Sequence, residues 1–134
     1  MTGRTLRDLV RSRARGRCEY CRALQEDLSL ALFHVEHIVP RQHGGIDDPE
    51  NLALACNHCN LHKGPNLTGI DPESGRIIPL FNPRREAWED HFLLDGLEIG
   101  GRTPTGSVTA RVLGMNTPTR IQLRAALRAR GHRA

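Results

Sequence analysis

Aromatic side chains are scarce in this chain: one tryptophan, one tyrosine and three phenylalanines among 134 residues. With a hydrophobic content of only 38%, the core that one domain of this length can bury is small, so a second source of stability is expected. Lysine is nearly absent, Lys63 being the only one. No apolar run approaches the roughly 20 residues needed to span a bilayer, and the basic N-terminus is not followed by the apolar stretch and small-residue cleavage site of a secretory signal. A reducing, cytoplasmic setting and no membrane partner are therefore expected. A Walker-type glycine loop, a dinucleotide fingerprint and a Ser-His-Asp pattern are also missing, as are internal repeats and low-complexity tracts.

What is present starts with four cysteines, spaced as Cys18-x-x-Cys21 and Cys56-x-x-Cys59. Two close pairs suit one tetrahedral zinc site better than two disulfides, because a two-residue gap lets both thiolates of a knuckle address the same ion. The net charge of +4 is unevenly distributed. Seven arginines lie within residues 1 to 22 and five within 118 to 134, around a net acidic middle. Basic flanks of this kind suit a protein that grips phosphates, although they equally suit solvated helix faces.

Hydrophobic periodicity supplies a coarse outline. Leu6, Leu9 and Val10 recur at helical spacing from Thr5, with Gly16 at a C-cap position. Residues Leu28 to Val39 read as a strand ended by Pro40, followed by a loop rich in Gly, Asp and Pro. Asn51 opens the returning strand NLALAC, and a helix is expected from Cys59 to about Gly64. Further on come a turn and short strand near Gly69 to Phe81, and a helix capped by Asn82 with Pro83 at its first position. A strand pair is expected between Phe92 and Arg102. Thr117-Pro118 opens a last helix on which Arg120, Arg124 and Arg128 form a stripe. Trp88 and Phe92, four residues apart, are read as core packing.

The 34 residues between the cysteine pairs concentrate His34, Glu36, His37, His43, Asp47, Asp48 and Glu50, which a structural zinc does not need. Together with the knuckles, the run Glu36-His37-Ile38-Val39-Pro40, Gly44-Gly45, Asn51-Leu52, Cys59-Asn60 and Lys63-Gly64 closely resembles the HNH endonucleases, within the His-Me finger nucleases. The likeness covers about residues 15 to 66.

The resemblance implies an α+β fold with a ββα-metal core clamped by the four-cysteine zinc site, carrying an N-terminal helix and a C-terminal α/β extension. The expected organisation is 1–66 for the helix and zinc-stapled module and 67–134 for the extension, whose KGPNLTGIDP, PLFNPR and W-x-x-HF segments look like the tail of small bacterial HNH proteins. By the same resemblance His37 is the general base that activates water. Asn51 braces the loop, and Glu36 and Asn60 hold a catalytic Mg2+ or Mn2+, with His34 as a possible further ligand. Glutamate stands at position 36 where the family usually has aspartate. Asn60 is preferred to His62, which lies about 200° further round a helix. Lys63 and Arg41 are placed to contact DNA phosphates, with arginines of the first and last helices flanking them. His58 reads as an exposed spacer, while His91 and His132 lie away from the motif. The expected function is metal-dependent hydrolysis of DNA phosphodiesters. A zinc-stapled nucleic-acid-binding module without turnover, or a zinc-dependent protein-docking domain, are the alternatives.

Overall fold

A computed structural model describes residues 3 to 28 and 32 to 131; the expectation for His132 lies outside them. Helix α1 spans Gly3–Ala14, and its buried face is centred on Val10, with Leu6 packed beside it. Arg15 and Gly16, both at positive φ, turn the chain into the first cysteine knuckle. A single helical turn, α2 (Gln25–Leu28), follows.

Strand β1 (His34–His37) pairs antiparallel with β2 (Leu52–Ala55), His37 standing opposite Leu52 and His34 opposite Ala55. The strand expected over Leu28 to Val39 is thus much shorter: Leu28 ends α2, and Leu32 and Phe33 lead into β1 outside any ladder. Apolar composition alone does not separate a strand from a buried approach to one. Every residue of β2 is buried, so this strand runs through the core. Helix α3 (Asn57–Lys63) starts at once and packs on both strands.

The remainder forms two more hairpins and three helices. Strands β3 (Thr68–Ile70) and β4 (Ile77–Pro79) pair, as do β5 (Phe92–Asp95) and β6 (Glu98–Gly101), each antiparallel. The helix expected from Asn82 is absent. Asn82 instead closes a turn by accepting the Arg84 amide on its side-chain oxygen at 2.9 Å, and α4 is only Trp88–His91. Asparagine caps tight turns as readily as helices.

Helix α5 (Pro104–Val112) went unread in the sequence, although Thr103 caps it through the Gly106 amide and Pro104 sits at its first position. Gly106 lies where a Cβ would come within 1.9 Å of the His91 carbonyl oxygen, so the close approach of the end of α4 requires glycine there. Helix α6 (Pro118–Ala129) closes the fold. One hydrophobic cluster runs from Val10 through the cysteines and β2 to Phe81, Phe92, Leu113 and Met115. Edge-on rings of Tyr20 and Phe81, and of Phe81 and Phe92, join its halves, and Trp88 stacks on Phe92 at 5.1 Å.

Only part of the arginine stripe on α6 presents itself to solvent: Arg128 is exposed and Arg120 half-buried. Arg124 is 6% exposed. It donates to the carbonyls of Leu97 and Met115 at 2.9 and 2.5 Å, and Arg128 donates to that of Gly96. Peptide carbonyls that the β5–β6 turn and the α5–α6 connection leave unpaired draw the guanidinium groups inward. In the first segment, too, Arg13 serves the carbonyls of Pro49 and Leu52, Arg17 that of Arg22, and Arg22 pairs with Glu89 over the Trp88 ring. Many of the arginines counted as phosphate grips are therefore structural. Replacing Arg124 by alanine strands the buried Met115 carbonyl and the half-buried Leu97 carbonyl and should cost about 1–3 kcal/mol. Chemical denaturation is the check, with exposed Arg130→Ala as a control that leaves the midpoint unchanged.

Candidate functional site

The metal-ligating potential begins with the four cysteines. All are buried and none is in a disulfide, and their sulfur atoms lie within 4.8 Å of one another. Four sulfurs placed tetrahedrally about 2.3 Å from one ion would be separated by about 3.8 Å, and Cys21 Sγ and Cys56 Sγ are 3.7 Å apart. Geometry and donor chemistry both fit zinc. Each knuckle is shaped by its own backbone: the Cys21 amide points at Cys18 Sγ, and the Cys59 amide at Cys56 Sγ, where Cys56 also caps α3.

Arg120 of α6 reaches the same cluster. Its guanidinium lies 3.5 Å from Cys21 Sγ and 3.7 Å from Cys56 Sγ. Hydrogen bonds from Cys18, Cys56 and Cys59 hold the Cys21 thiol well below its ordinary pKa, and the Arg120 charge adds to this. A cation beside four thiolates offsets the surplus negative charge that a divalent ion leaves uncancelled.

On the other side of the hairpin, His34, Glu36, His37, Arg41 and Asn60 line one open cleft of about 420 Å³. Strand alternation puts His34 and Glu36 on one side of β1 and Val35 and His37 on the other. Glu36 is 8% exposed. Its Oε1 accepts the Tyr20 hydroxyl at 2.5 Å and its Oε2 the Lys63 ammonium at 3.3 Å. Burial pushes the Glu36 carboxyl above its ordinary pKa, against the opposing pull of Lys63 and Tyr20.

Lys63 corrects an expectation. Only 2% exposed, it donates to Glu36 and to the carbonyls of His37 and Ile38, so its charge is directed inward and not at a phosphate. Helical spacing gave the face of α3 on which Lys63 sits, but that face is the one packed on the hairpin. His58, read as an exposed spacer, is half-buried; its ring bonds the Gly114 carbonyl at 2.8 Å and stacks on His62. His34 is exposed and meets the Asn57 side chain at 3.2 Å.

The loop between the strands is closed by Asn51. Its side-chain amide donates to the carbonyls of Val39 and Ile46, and its oxygen accepts the Val39 amide at 2.8 Å. A tight turn at Arg41–His43 ends at Gly44 with φ +90°. A Cβ on Gly45 would lie 1.6 Å from the Val39 carbonyl oxygen, so the consecutive glycines are a steric demand. This folding returns Asp47 to His37. His37 Nε2 and Asp47 Oδ1 are 2.6 Å apart, and Arg41 Nη2 donates to both Asp47 oxygens at 2.9 and 3.0 Å. Those bonds, the one from His37 first, hold the Asp47 carboxyl below its ordinary pKa. Sequence reasoning assigned no role to Asp47 or Tyr20. The spacing of an irregular loop does not say which carboxylate it will return to the histidine.

Among the described residues the four cysteines are the one group of three or more His, Cys, Asp or Glu side chains able to share an ion. At the cleft a second cation would rely on the Glu36 carboxylate, the Asn60 amide oxygen and the His34 ring, with water completing its shell. The two oxygen donors of that set would suit a divalent ion of the Mg2+ or Mn2+ kind, and each Glu36 oxygen keeps a lone pair beyond its present hydrogen bond. No helix of the described residues is long and apolar enough to cross a membrane.

Residues 18–66 match the family model described as HNH endonuclease, a segment that holds the four cysteines and every cleft residue named above. No curated protein and no solved structure matches the chain. Cys56→Ser should lose bound zinc, measured by metal analysis, and with it cooperative unfolding, since structural zinc contributes on the order of 10 kcal/mol in such modules. His37→Ala should keep both. Equal melting curves for the two variants would contradict the division between holding residues and cleft residues.

Proposed function

We propose, from a segment that matches the HNH endonucleases, that this protein is a metal-dependent nuclease hydrolysing phosphodiester bonds of DNA, with His37 as its general base. The observation that carries the reading is the cleft itself, where an imidazole held by a carboxylate shares one opening with Glu36 and Asn60. A binding surface has no need of a base so placed.

A neutral imidazole has one ring nitrogen free to accept a proton, and in the cleft His37 can take one from water. As it does, the water oxygen bonds to phosphorus and the bond from phosphorus to the 3′ oxygen breaks. The electron pair stays on the 3′ oxygen, which is protonated by solvent, leaving a 5′-phosphate and a 3′-hydroxyl. A divalent ion at Glu36 and Asn60 would supply positive charge to offset the negative charge gathering on the phosphate and leaving oxygen. Asn51 keeps the loop that carries this machinery in shape. Lys63 and Tyr20 fix the Glu36 carboxylate from behind. Arg41, mostly exposed at the rim, keeps guanidinium N–H groups beyond those on Asp47 for a phosphate. The zinc is structural and takes no part in the reaction.

A second reading, a zinc-stapled nucleic-acid-binding module without turnover, is favoured by one specific observation. The Lys63 ammonium already neutralises Glu36, which weakens the cleft's pull on a second cation. Supercoiled-plasmid conversion separates the two. With zinc-loaded protein, nicking should require added Mg2+ or Mn2+, stop with EDTA, and disappear in His37→Ala. Plasmid binding without conversion in every divalent ion would select the binding module.

A further inference from the structure

The carboxylate on His37 decides which ring nitrogen can act. We infer that Asp47 is a positioning residue for His37, fixing the imidazole as the tautomer protonated on Nε2 and leaving Nδ1 as the nitrogen that accepts the proton. The inference rests on the reading of His37 as general base.

Three observations carry it. An ionised carboxylate only accepts hydrogen bonds, so at 2.6 Å from Asp47 Oδ1 the Nε2 atom must be the one bearing hydrogen. Nδ1 has no hydrogen-bond partner among the described residues, while the ring itself lines the cleft. Asp47 is in turn held by Arg41, whose Nη2 reaches both of its oxygens. The carboxylate is oriented from one side and orients the ring on the other. The loop built on Gly44, Gly45 and Asn51 brings the three side chains together, and the Ile46 carbonyl that Asn51 holds belongs to the residue just before Asp47. A carboxylate that sets tautomer and ring orientation acts on rate through the base without touching the reacting atoms.

Exposure makes the role testable apart from folding. Asp47 is 57% exposed and His37 24%, so water competes for their bond and its loss should scarcely move the melting temperature. Asp47→Ala should lower kcat roughly ten- to a hundredfold, the range for losing such a supporting partner, with KM and Tm unchanged. Asp47→Asn, which keeps an acceptor oxygen of the same shape, should recover part of the rate. Nitrogen NMR of ring-labelled protein, at a pH where the imidazole is neutral, should show His37 as one tautomer, protonated on Nε2. In Asp47→Ala it should show a mixture. An unchanged tautomer in Asp47→Ala, or a wild-type ring protonated on Nδ1, would overturn the inference, and so would full kcat in Asp47→Ala beside an inactive His37→Ala. If the wild-type protein cuts no DNA in any divalent ion, the nuclease reading fails instead, and the NMR comparison alone decides the role of Asp47.

Discussion

Four buried thiols crowded within bonding reach of one point are the constraint on which the rest of this structure depends. Without a cation at their centre they would repel one another once ionised, and they sit where α1, the first knuckle, β2 and α3 converge. Cys56 is both a candidate sulfur donor and the cap of α3, so an ion held by the cluster would also fix where the helix begins on the hairpin. The chain has few aromatic residues with which to do this by packing. The cluster also reaches past its own knuckles, since Arg120 brings α6 onto the sulfurs and His58, inside the second knuckle, bonds the Gly114 carbonyl beyond α5. The cysteine cluster is thereby tied to the C-terminal helices as well as to its own knuckles.

On that support the cleft is assembled from two kinds of part. Tyr20, Glu36 and Lys63 form a buried, mutually satisfied unit in which a carboxylate and an ammonium exchange charge-assisted bonds with a hydroxyl and two carbonyls. Breaking such a unit leaves an uncompensated charge in a poorly solvated place, so it keeps the floor of the cleft rigid. The opposite wall is exposed. His37, Asp47 and Arg41 are joined by short bonds at the surface, held by loop geometry more than by burial. A rigid floor with a solvent-accessible base suits chemistry on a large polyanion, whose backbone must enter without the chain having to open.

Legibility in the sequence followed how local each feature is. The cysteine pairs, the β1–β2 hairpin, the β5–β6 pair and α6 were readable because spacing, period and turn residues fix them within a few residues. Lys63 was placed on the correct helix face but assigned the wrong environment, because spacing gives direction and not depth of burial. The arginines at both ends were counted as charge available to a phosphate, yet Arg13, Arg17, Arg124 and Arg128 answer backbone carbonyls that only the tertiary fold leaves open. Helix α5 carried a legible Thr-Pro start that went unread, and its Gly106, a poor helix former, is explained only by the close approach of the His91 carbonyl at the end of α4. Asp47 was visible as one acid among several, and only the closure of an irregular loop distinguishes it.

The central claim is that this zinc-held scaffold delivers water, through His37, to the phosphorus of a DNA backbone. It is tested most directly by incubating a short DNA duplex with zinc-loaded protein and Mn2+ in water enriched in heavy oxygen, and weighing the fragments by mass spectrometry. The account predicts fragments with a 5′-phosphate that has gained one heavy oxygen atom from solvent and a 3′-hydroxyl that has gained none. Duplex that remains intact while bound to the protein, or label found on the 3′ side of the break, would contradict it.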